Sequence, residues 1–353
     1  MTLWKRNAYI RYGAVCLCLT VLLSLCLAMA GCSDEIYDPT AGSLSLNEGN
    51  QTREPADGDG SLQLEIVTEE PTGSVIQITP SEDPFENADH MLYAEVLNAG
   101  DADAVLVRMD DTVILIDTGE SNDYHTISQK LNEYGITAID YLIITHYDND
   151  HIGSAAQILQ NYTVKRVYMP DYVRRSSLYD RMMSTLEVLT ETQVHRIHDE
   201  DVRIELACGS LWINATGLYV AGASLGADDS HSLEENNYSL ITSISFGEIS
   251  MLFAGDAENE RIKEFSDVLT EKKEACAYNF IKIPHHGGYD KELGNFLRRN
   301  QGARYFAVCV SSEDVVKGEL VTAMRSAGAA AYYTCNGHIS YKTDGSIMVL
   351  YQE

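Results

Sequence analysis

The sequence predicts an α/β fold in which helices cover the outer faces of two sheets. Short apolar runs bounded by turn residues recur along the chain and indicate buried strands. Between them lie segments with the apolar spacing of a helix, such as Tyr124, Ile127 and Leu131. Strands followed by helices occur twice over, and this repetition favours an α/β sandwich.

The composition of the 353-residue chain supports a large core and narrows the classes of partner. Hydrophobic residues make up 45% of the chain, too many for a protein that is disordered throughout. The 53 Asp and Glu residues outweigh the 25 Lys and Arg residues, which gives a formal charge of −28. This acidity argues against nucleic-acid binding through a basic surface, because such binding releases counterions through Lys and Arg. It leaves open a nuclease whose bound metal ions contact the phosphate.

Residues 1–31 have the pattern of a secretion signal. Lys5, Arg6 and Arg11 precede an apolar run that is short for a spanning helix. The run leads into Cys32 through a segment that resembles the lipobox of bacterial lipoproteins, in which the cysteine thiol takes a diacylglyceryl group. The resemblance implies lipid anchoring to a bacterial membrane through Cys32, and an uncleaved signal anchor is the alternative. On either interpretation the rest of the chain lies outside the cytoplasm.

Residues 32–90 are predicted to be an acidic, disordered tether that precedes a folded domain at residues 91–353. Ser, Gly, Asp, Glu, Pro and Thr dominate the tether, and such a composition buries too little apolar surface to fold. Within it, Leu62–Val67 has the pattern of one short strand.

The folded domain is expected to run from strands into alternating helices and strands, in two halves. In the first half we expect strands at Leu92–Leu97, Ala104–Met109, Thr112–Ile116, Ile139–Thr145 and Val164–Met169, with helices around Tyr124–Tyr134, Ile152–Leu159 and Leu178–Leu189. In the second half we expect a strand-rich stretch at Val202–Val220, strands at Tyr238–Phe246, Ile249–Phe253, Phe280–Ile283 and Arg304–Val310, helices near Glu258–Leu269, Lys291–Arg299 and Asp314–Ala327, and two closing strands.

The segment after the strand at Ile139–Thr145 carries the strongest chemical signal. Four ligand-type side chains follow one another there: His146, Asp148, Asp150 and His151. Alternate positions of an extended loop project to one side, and His151 opens the next helix toward the same cavity. Such a set suits one metal ion, or two close together.

Two later strands end in residues of the same kind. Asp256 follows Gly255 after one strand, and His285 and His286 follow another. Either ending alone is common in a turn or on a surface. Their place after strands, downstream of the first motif, favours one shared site.

Together these motifs resemble the metallo-β-lactamase superfamily. More narrowly, they resemble the metallo-β-lactamase-like domain of the DNA-uptake competence protein ComEC and its stand-alone relatives. The resemblance covers about Tyr93 to Tyr351 and includes the motifs LNAGDADA at 97–104, LIDTG at 115–119 and NNYSL at 236–240. It implies an αβ/βα four-layer sandwich.

Residue by residue, the resemblance implies two divalent metal ions. The first ion would be bound by His146 and Asp148, the second by Asp150, His151 and His286, and Asp256 would bridge both. Asp148 stands where many members have His, and a carboxylate hardens the site, so both zinc and manganese are expected candidates.

Three further positions stay open as ligands. His285 is the alternative to its neighbour His286. Asn237 falls near the position of a further ligand of the first ion, and His231 is a less favoured substitute for it.

The resemblance implies a metal-dependent hydrolase in which Asp150 orients a water and accepts its proton. A phosphodiester or another small substrate is favoured, and nucleic acid stays open, although the acidity argues against strong non-specific binding. One alternative is a catalytically weak or inactive metal-binding lipoprotein module. Another is an ester or lactam hydrolase on the same centre, since one fold hosts many reactions.

The sequence departs from the branch in two ways that bear on turnover. Gly288 stands where a Ser is usual, and a later histidine-containing stretch is absent. His338 is a candidate proton donor in its place, or else a packed histidine at a strand end. The remaining histidines are read as surface or packing residues: His90, His125, His195 and His198.

Four cysteines remain in the folded domain: Cys208, Cys276, Cys309 and Cys335. They are far apart and form no CxxC pair, so the spacing excludes a zinc knuckle. Their disulfide pairing stays open.

Overall fold

The computed structural model describes residues 65–67, 76–77, 84–216, 223–225, 235–300 and 302–353. The predicted signal segment, Cys32 and most of the predicted tether lie outside these ranges. Within them, every helix falls short of the length and apolar character that crossing a membrane requires.

Strands and helices alternate along the described residues. The strands in chain order are β1 (Glu65–Val67), β2 (Ile76–Gln77), β3 (Leu92–Val96), β4 (Val105–Met109), β5 (Thr112–Ile116), β6 (Ala138–Ile143), β7 (Thr163–Pro170), β8 (Tyr172–Arg174), β9 (Gln193–Ile197), β10 (Asp201–Glu205), β11 (Ser210–Asn214), β12 (Ala223–Leu225), β13 (Ile241–Phe246), β14 (Ile249–Phe253), β15 (Phe280–Lys282), β16 (Tyr305–Val308), β17 (Ala330–Tyr333), β18 (Ile339–Thr343) and β19 (Met348–Gln352). The helices are α1 (Tyr124–Glu133), α2 (Asn149–Ile152), α3 (Ala155–Asn161), α4 (Ser177–Val188), α5 (Asn259–Lys272), α6 (Lys291–Arg299) and α7 (Gly318–Ser326).

The strands form two large sheets. The first has the order β2-β1-β19-β18-β3-β4-β5-β6-β7-β9, and the second has the order β10-β11-β13-β14-β15-β16-β17. Within them, β5 pairs in parallel with β6, and β14 pairs in parallel with β15. A separate short pair joins β8 to β12. The closing strand β18 pairs with β3, so the end of the chain completes the first sheet.

Three apolar cores hold the layers together. Val107 and Ile114 of the first sheet meet Phe253 of the second in the core between the sheets. A second core joins the first sheet to α1, α3 and α4, and a third joins the second sheet to α5, α6 and α7. The arrangement is the four-layer αβ/βα sandwich that the sequence predicts, with apolar faces buried on both sides of each sheet.

The structure departs from the expected elements at several points. The helix expected at Ile152–Leu159 is divided into α2 and α3 at Gly153, where a Cβ atom would lie 2.3 Å from the Glu120 carbonyl carbon. The strand-rich stretch after residue 200 is the antiparallel hairpin of β10 and β11. Helix α7 starts later than expected, after a short 3-10 turn at Glu313–Val315.

Some ordered structure precedes residue 91. The backbone of β1, inside the segment predicted to be a tether, pairs with β19. Phe85 is buried and packs in a small cluster with Val349. Packing against the domain therefore includes residues before its predicted boundary.

Candidate metal centre

The predicted ligands lie at the ends of strands from both sheets. The segment from His146 to His151 follows β6 in the first sheet, whereas Asp256 and His286 follow β14 and β15 in the second. Gly255, which comes before Asp256, has a positive φ of 53°, and His286 has one of 45°. A positive φ is strained for a residue other than glycine, and such residues are concentrated at functional sites, as His286 is here.

Four of the predicted ligands form a compact group: Asp150, His151, Asp256 and His286. One ligand atom of each lies within 4.8 Å of the others. Oδ2 of Asp256 is 3.3 Å from Nε2 of His151 and 3.3 Å from Nε2 of His286. Nε2 of His286 is also 3.0 Å from Oδ2 of Asp150. Asp256 thus lies between the two imidazoles.

His146 and Asp148 lie beside this group. Nε2 of His146 is 3.6 Å from Oδ2 of Asp148, and the rings of His146 and His151 have centroids 4.0 Å apart. All six predicted ligands are therefore brought to one region, and their assignment to individual ions stays a prediction.

The buried histidine nitrogens test whether these residues fit a metal ion. Nδ1 of His151 is 2.8 Å from Oδ2 of Asp117, and because an ionised carboxylate only accepts, this nitrogen carries the donated proton. Nδ1 of His146 is 3.1 Å from Oγ1 of Thr145. The Nε2 atoms of both histidines are buried without a hydrogen-bond partner. An imidazole held by one nitrogen, with the other unpaired among carboxylates, is typical of a metal ligand, so the residues fit a cation.

The carboxylates control the charge of the imidazoles. Burial lowers the pKa of His286, but the charge of Asp256 and the hydrogen bond with Asp150 outweigh burial and raise it to about 10. Burial raises the pKa of Asp150, but the hydrogen bond from His286 and the charge of His151 lower it to about 2. The pKa of His151 is raised well above 6.5, because Asp256 and Asp117 outweigh its burial. The negative charge that holds protons here equally favours a divalent cation.

A buried ion pair lies beneath the group. Lys282 is 1% exposed, and its Nζ contacts the carboxylate of Asp103 and lies 3.8 Å from Oδ1 of Asp256. The pKa of Lys282 is raised, because the charge of Asp103 outweighs burial. Nδ1 of His286 is held by the backbone oxygen of Cys309 at 3.2 Å. One feature of the sequence could have indicated this ion pair: Lys282 lies in an otherwise apolar strand.

Asp117 and Arg174 also support the ligands, and sequence reasoning gave neither a role. Asp117 is buried, has a positive φ of 57°, and accepts hydrogen bonds from the backbone nitrogen and Oγ1 of Thr145. Nη2 of Arg174 is 3.2 Å from Oδ1 of Asp148, and Nη1 forms an ion pair with the buried Glu235. No local sequence pattern indicates the role of Arg174, because β8 brings it to the site through tertiary packing.

The positions left open have other contacts. His285 is next to the group, and its Nδ1 is 3.0 Å from Oε1 of Glu258. Oδ1 of Asn237 accepts a hydrogen bond from the backbone nitrogen of Arg261 in α5 at 3.1 Å. Nδ1 of His338 accepts from the backbone nitrogen of Asn98 at 2.8 Å.

His338 is not among the grouped histidine, cysteine and carboxylate ligand atoms in the described part of the chain. His231 lies outside the described residues. The four cysteines of the domain are free thiols: Cys208, Cys276, Cys309 and Cys335.

Sequence comparisons find similarity to one protein family and to one curated protein. A family profile described as the metallo-beta-lactamase superfamily matches residues 97–220. ComE operon protein 3 of Bacillus subtilis (strain 168) is 25% identical over 236 residues, which cover 60% of this chain and 28% of that protein. The chain thus spans little more than a quarter of the length of that relative.

Two solved structures are similar in fold at low sequence identity. The metallo-beta-lactamase fold protein YhfI from Bacillus subtilis is 13% identical, with a TM-score of 0.48 over 72% of this chain and 100% of that one. Tm1679, described as a metal-dependent hydrolase of the beta-lactamase superfamily, is 14% identical, with a TM-score of 0.46 over 69% of this chain and 95% of that one.

Proposed function

We propose that this chain is a metal-dependent hydrolase of phosphodiesters, in the ComEC-like branch of the metallo-β-lactamase superfamily. The observation that carries the proposal is the group of Asp150, His151, Asp256 and His286 at the strand ends of both sheets. The buried, unpaired Nε2 atoms of His146 and His151 support binding of two divalent ions, zinc or manganese.

The exposure of the carboxylates supports different roles for them. The side chain of Asp256 is 4% exposed and fits a buried ligand between His151 and His286. The side chain of Asp150 is 27% exposed, so a water molecule can reach it. Asp150 is therefore the group that would orient the attacking water and accept its proton. The bound ions would activate that water and neutralise the charge that develops on the substrate.

The charge of the protein limits the class of substrate. A formal charge of −28 repels a long polyanion at low salt, whereas the bound ions would offer positive charge locally. Small phosphodiesters and short single strands are therefore favoured over duplex DNA.

Replacing the proposed base tests this function. In the full chain loaded with zinc or manganese, Asp150→Asn should slow hydrolysis of bis(p-nitrophenyl) phosphate by about 10²- to 10⁴-fold, because general-base catalysis is lost. The matched control is Asp111→Asn, an exposed residue of the turn between β4 and β5.

Three outcomes would contradict the proposal in different ways. Unchanged turnover in Asp150→Asn would remove its role as the base. Faster hydrolysis of esters or lactams by the same preparation would overturn the substrate class. No hydrolysis of any substrate, with metal content confirmed by elemental analysis, would favour the inactive binding module.

We also propose that the protein is anchored outside the cytoplasm through a lipid on Cys32. The support is the lipobox-like sequence after an apolar run. The full chain should incorporate labelled fatty acid, and Cys32→Ala should not. Membrane association without any label in the unmodified chain would instead indicate an uncleaved signal anchor.

A further inference from the structure

Three metal-binding types of side chain meet at a second place in the molecule. His90 comes just before β3, Asp110 lies in the turn between β4 and β5, and Cys208 lies in the turn between β10 and β11. One ligand atom of each lies within 4.8 Å of the others. Nδ1 of His90 is 2.7 Å from Oδ2 of Asp110. An imidazole, a carboxylate and a thiol thus converge from three separate segments.

This cluster is distinct from the strand-end metal centre. Asp110 lies before β5 and Asp117 lies after it. The five residues of β5 span about 16 Å, so the two aspartates lie at opposite ends of this strand. Asp117 contacts His151 of the metal centre, so the cluster lies at the other end of the strand. His90 lies just before β3 of the first sheet and Cys208 lies in a turn of the second, so the cluster joins the two sheets.

The backbone brings the two turns into close contact. A Cβ atom on Gly209 would lie 2.3 Å from the backbone oxygen of Ser245 and 2.9 Å from Cε of Met109, so only glycine fits there. Cys208, its neighbour, packs partly against the core between the sheets. Asp110 has a positive φ of 48°, a conformation that Asp tolerates better than most residues. The positions of the thiol and the carboxylate are therefore fixed by packing rather than by long mobile side chains.

We propose that His90, Asp110 and Cys208 form a second site, which binds one zinc-class divalent ion. A thiolate and an imidazole select a borderline-soft ion, and three protein ligands leave the fourth tetrahedral position to water. On binding, the ion replaces the thiol proton, which passes to solvent. Manganese is disfavoured, because it prefers oxygen ligands. The bound ion would link the sheets at the end opposite the hydrolytic centre.

Cobalt(II) tests the site, because its thiolate complexes absorb in the near ultraviolet by charge transfer. The full chain, purified in detergent with a non-thiol reductant, should develop this absorption on titration with cobalt(II). Asp150→Asn should keep the band, since Asp150 belongs to the other centre. Cys208→Ser should lose it, and His90→Gln should weaken cobalt binding by more than about tenfold.

Two cysteine controls separate this site from the other thiols. Cys276→Ser removes a thiol that is also partly buried, and Cys309→Ser removes the thiol nearest the hydrolytic centre, so both should keep the band. Circular dichroism would establish that each variant is folded. A band that is absent from the unmodified protein, that persists in Cys208→Ser, or that disappears in Cys309→Ser would overturn the proposal. So would unchanged cobalt affinity in His90→Gln.

Discussion

At the scale of single residues, Lys282 shows how much the metal centre depends on groups that do not touch a cation. The ammonium group is buried against Asp103, next to Asp256. Removing one partner of a buried ion pair leaves an uncompensated charge, and this costs far more than the pair contributes when intact.

We therefore expect Lys282→Met to lower the free energy of unfolding by about 3–5 kcal/mol. Urea unfolding of the metal-free protein measures the loss. The double variant with Asp103→Asn should recover part of it, because the unpaired carboxylate is gone. A loss below about 1 kcal/mol in the single variant would show that the interior tolerates the charge of Asp103.

Asp201 gives a pH dependence far from the metal ligands. Its carboxylate accepts hydrogen bonds from Nδ2 of Asn214 at 2.6 Å and Oγ1 of Thr216 at 2.9 Å, and it pairs with Lys272. Burial raises the pKa of Asp201, but these partners lower it below 3.8. Because the pKa is lower in the folded state, the carboxylate stabilises the fold fully above its unfolded pKa, and this stability is lost as the pH falls through the folded pKa.

The difference in unfolding free energy between the unmodified protein and Asp201→Asn should therefore shrink as the pH falls from about 5 to about 3. Urea unfolding at both pH values gives the difference. If this difference in unfolding free energy stayed constant or increased at the lower pH, the ionised carboxylate of Asp201 would not be the form that stabilises the fold.

The residues of the centre were predictable to different degrees for a physical reason. The segment from His146 to His151 is contiguous, so its ligand spacing is visible in the sequence. Asp117, Arg174 and Lys282 act through contacts that only the folded chain creates. The same holds for His90, which reads as a surface residue until the β10–β11 turn brings Cys208 beside it.

At the scale of elements, the approach of β14 to β6 determines where Asp256 lies. Gly255 has a φ of 53°, and a Cβ atom there would lie 2.6 Å from Oγ1 of Thr145. A side chain at this position would therefore push the end of β14 away from the loop that carries His146.

We expect Gly255→Ala to weaken metal binding more than tenfold and to destabilise the fold. Gly135→Ala is the matched control, because Gly135 also has a positive φ, of 65°, but its Cβ would meet nothing within 4 Å. The control should lower the free energy of unfolding by about 1–2 kcal/mol, because alanine disfavours the left-handed conformation, and it should leave the metal affinity unchanged. Isothermal titration and urea unfolding measure the two effects. Equal metal affinities in the two variants would show that the contact with Thr145 does not position Asp256.

The spacing of apolar residues identified most helices and strands, but it did not show where one expected helix is divided into two. Apolar spacing predicted one helix at Ile152–Leu159, whereas the backbone nitrogen of Gly153 donates to the oxygen of Gly119 at 2.8 Å, and α2 and α3 are separate there. A spacing pattern cannot show this division, because it arises from a neighbouring segment distant in sequence.

At the scale of the whole molecule, the metal centre takes ligands from both sheets. His151 follows β6 in one sheet and His286 follows β15 in the other, so a cation would cross-link them. A ligand that binds only the folded state stabilises it by about 2.7 kcal/mol at a hundred times its dissociation constant.

We therefore expect chelation to lower the melting temperature and manganese to restore it. Cys208→Ser is the suitable background, because it removes the second proposed site from the measurement. Asp256→Asn in that background should lose most of the recovery, since Asp256 lies between the two imidazoles. A melting temperature indifferent to chelator and manganese would contradict a cation shared by the sheets.

The fold class was predictable because strands and helices alternate in two halves, and the resemblance supplied the order of the layers. The pairing of β3 with β18 has no local signal, because Leu92–Val96 and Ile339–Thr343 are separated by nearly the whole domain.

That pairing has a consequence for how the chain folds during its synthesis. Synthesis delivers β3 early and β18 almost last, so the first sheet lacks an inner strand until the carboxyl-terminal hairpin emerges. Contacts so distant in sequence form slowly, because a long loop must close before they stabilise anything. The nascent chain can therefore complete its first sheet only after almost all of the domain has been synthesised, so the last step of folding belongs to the finished chain.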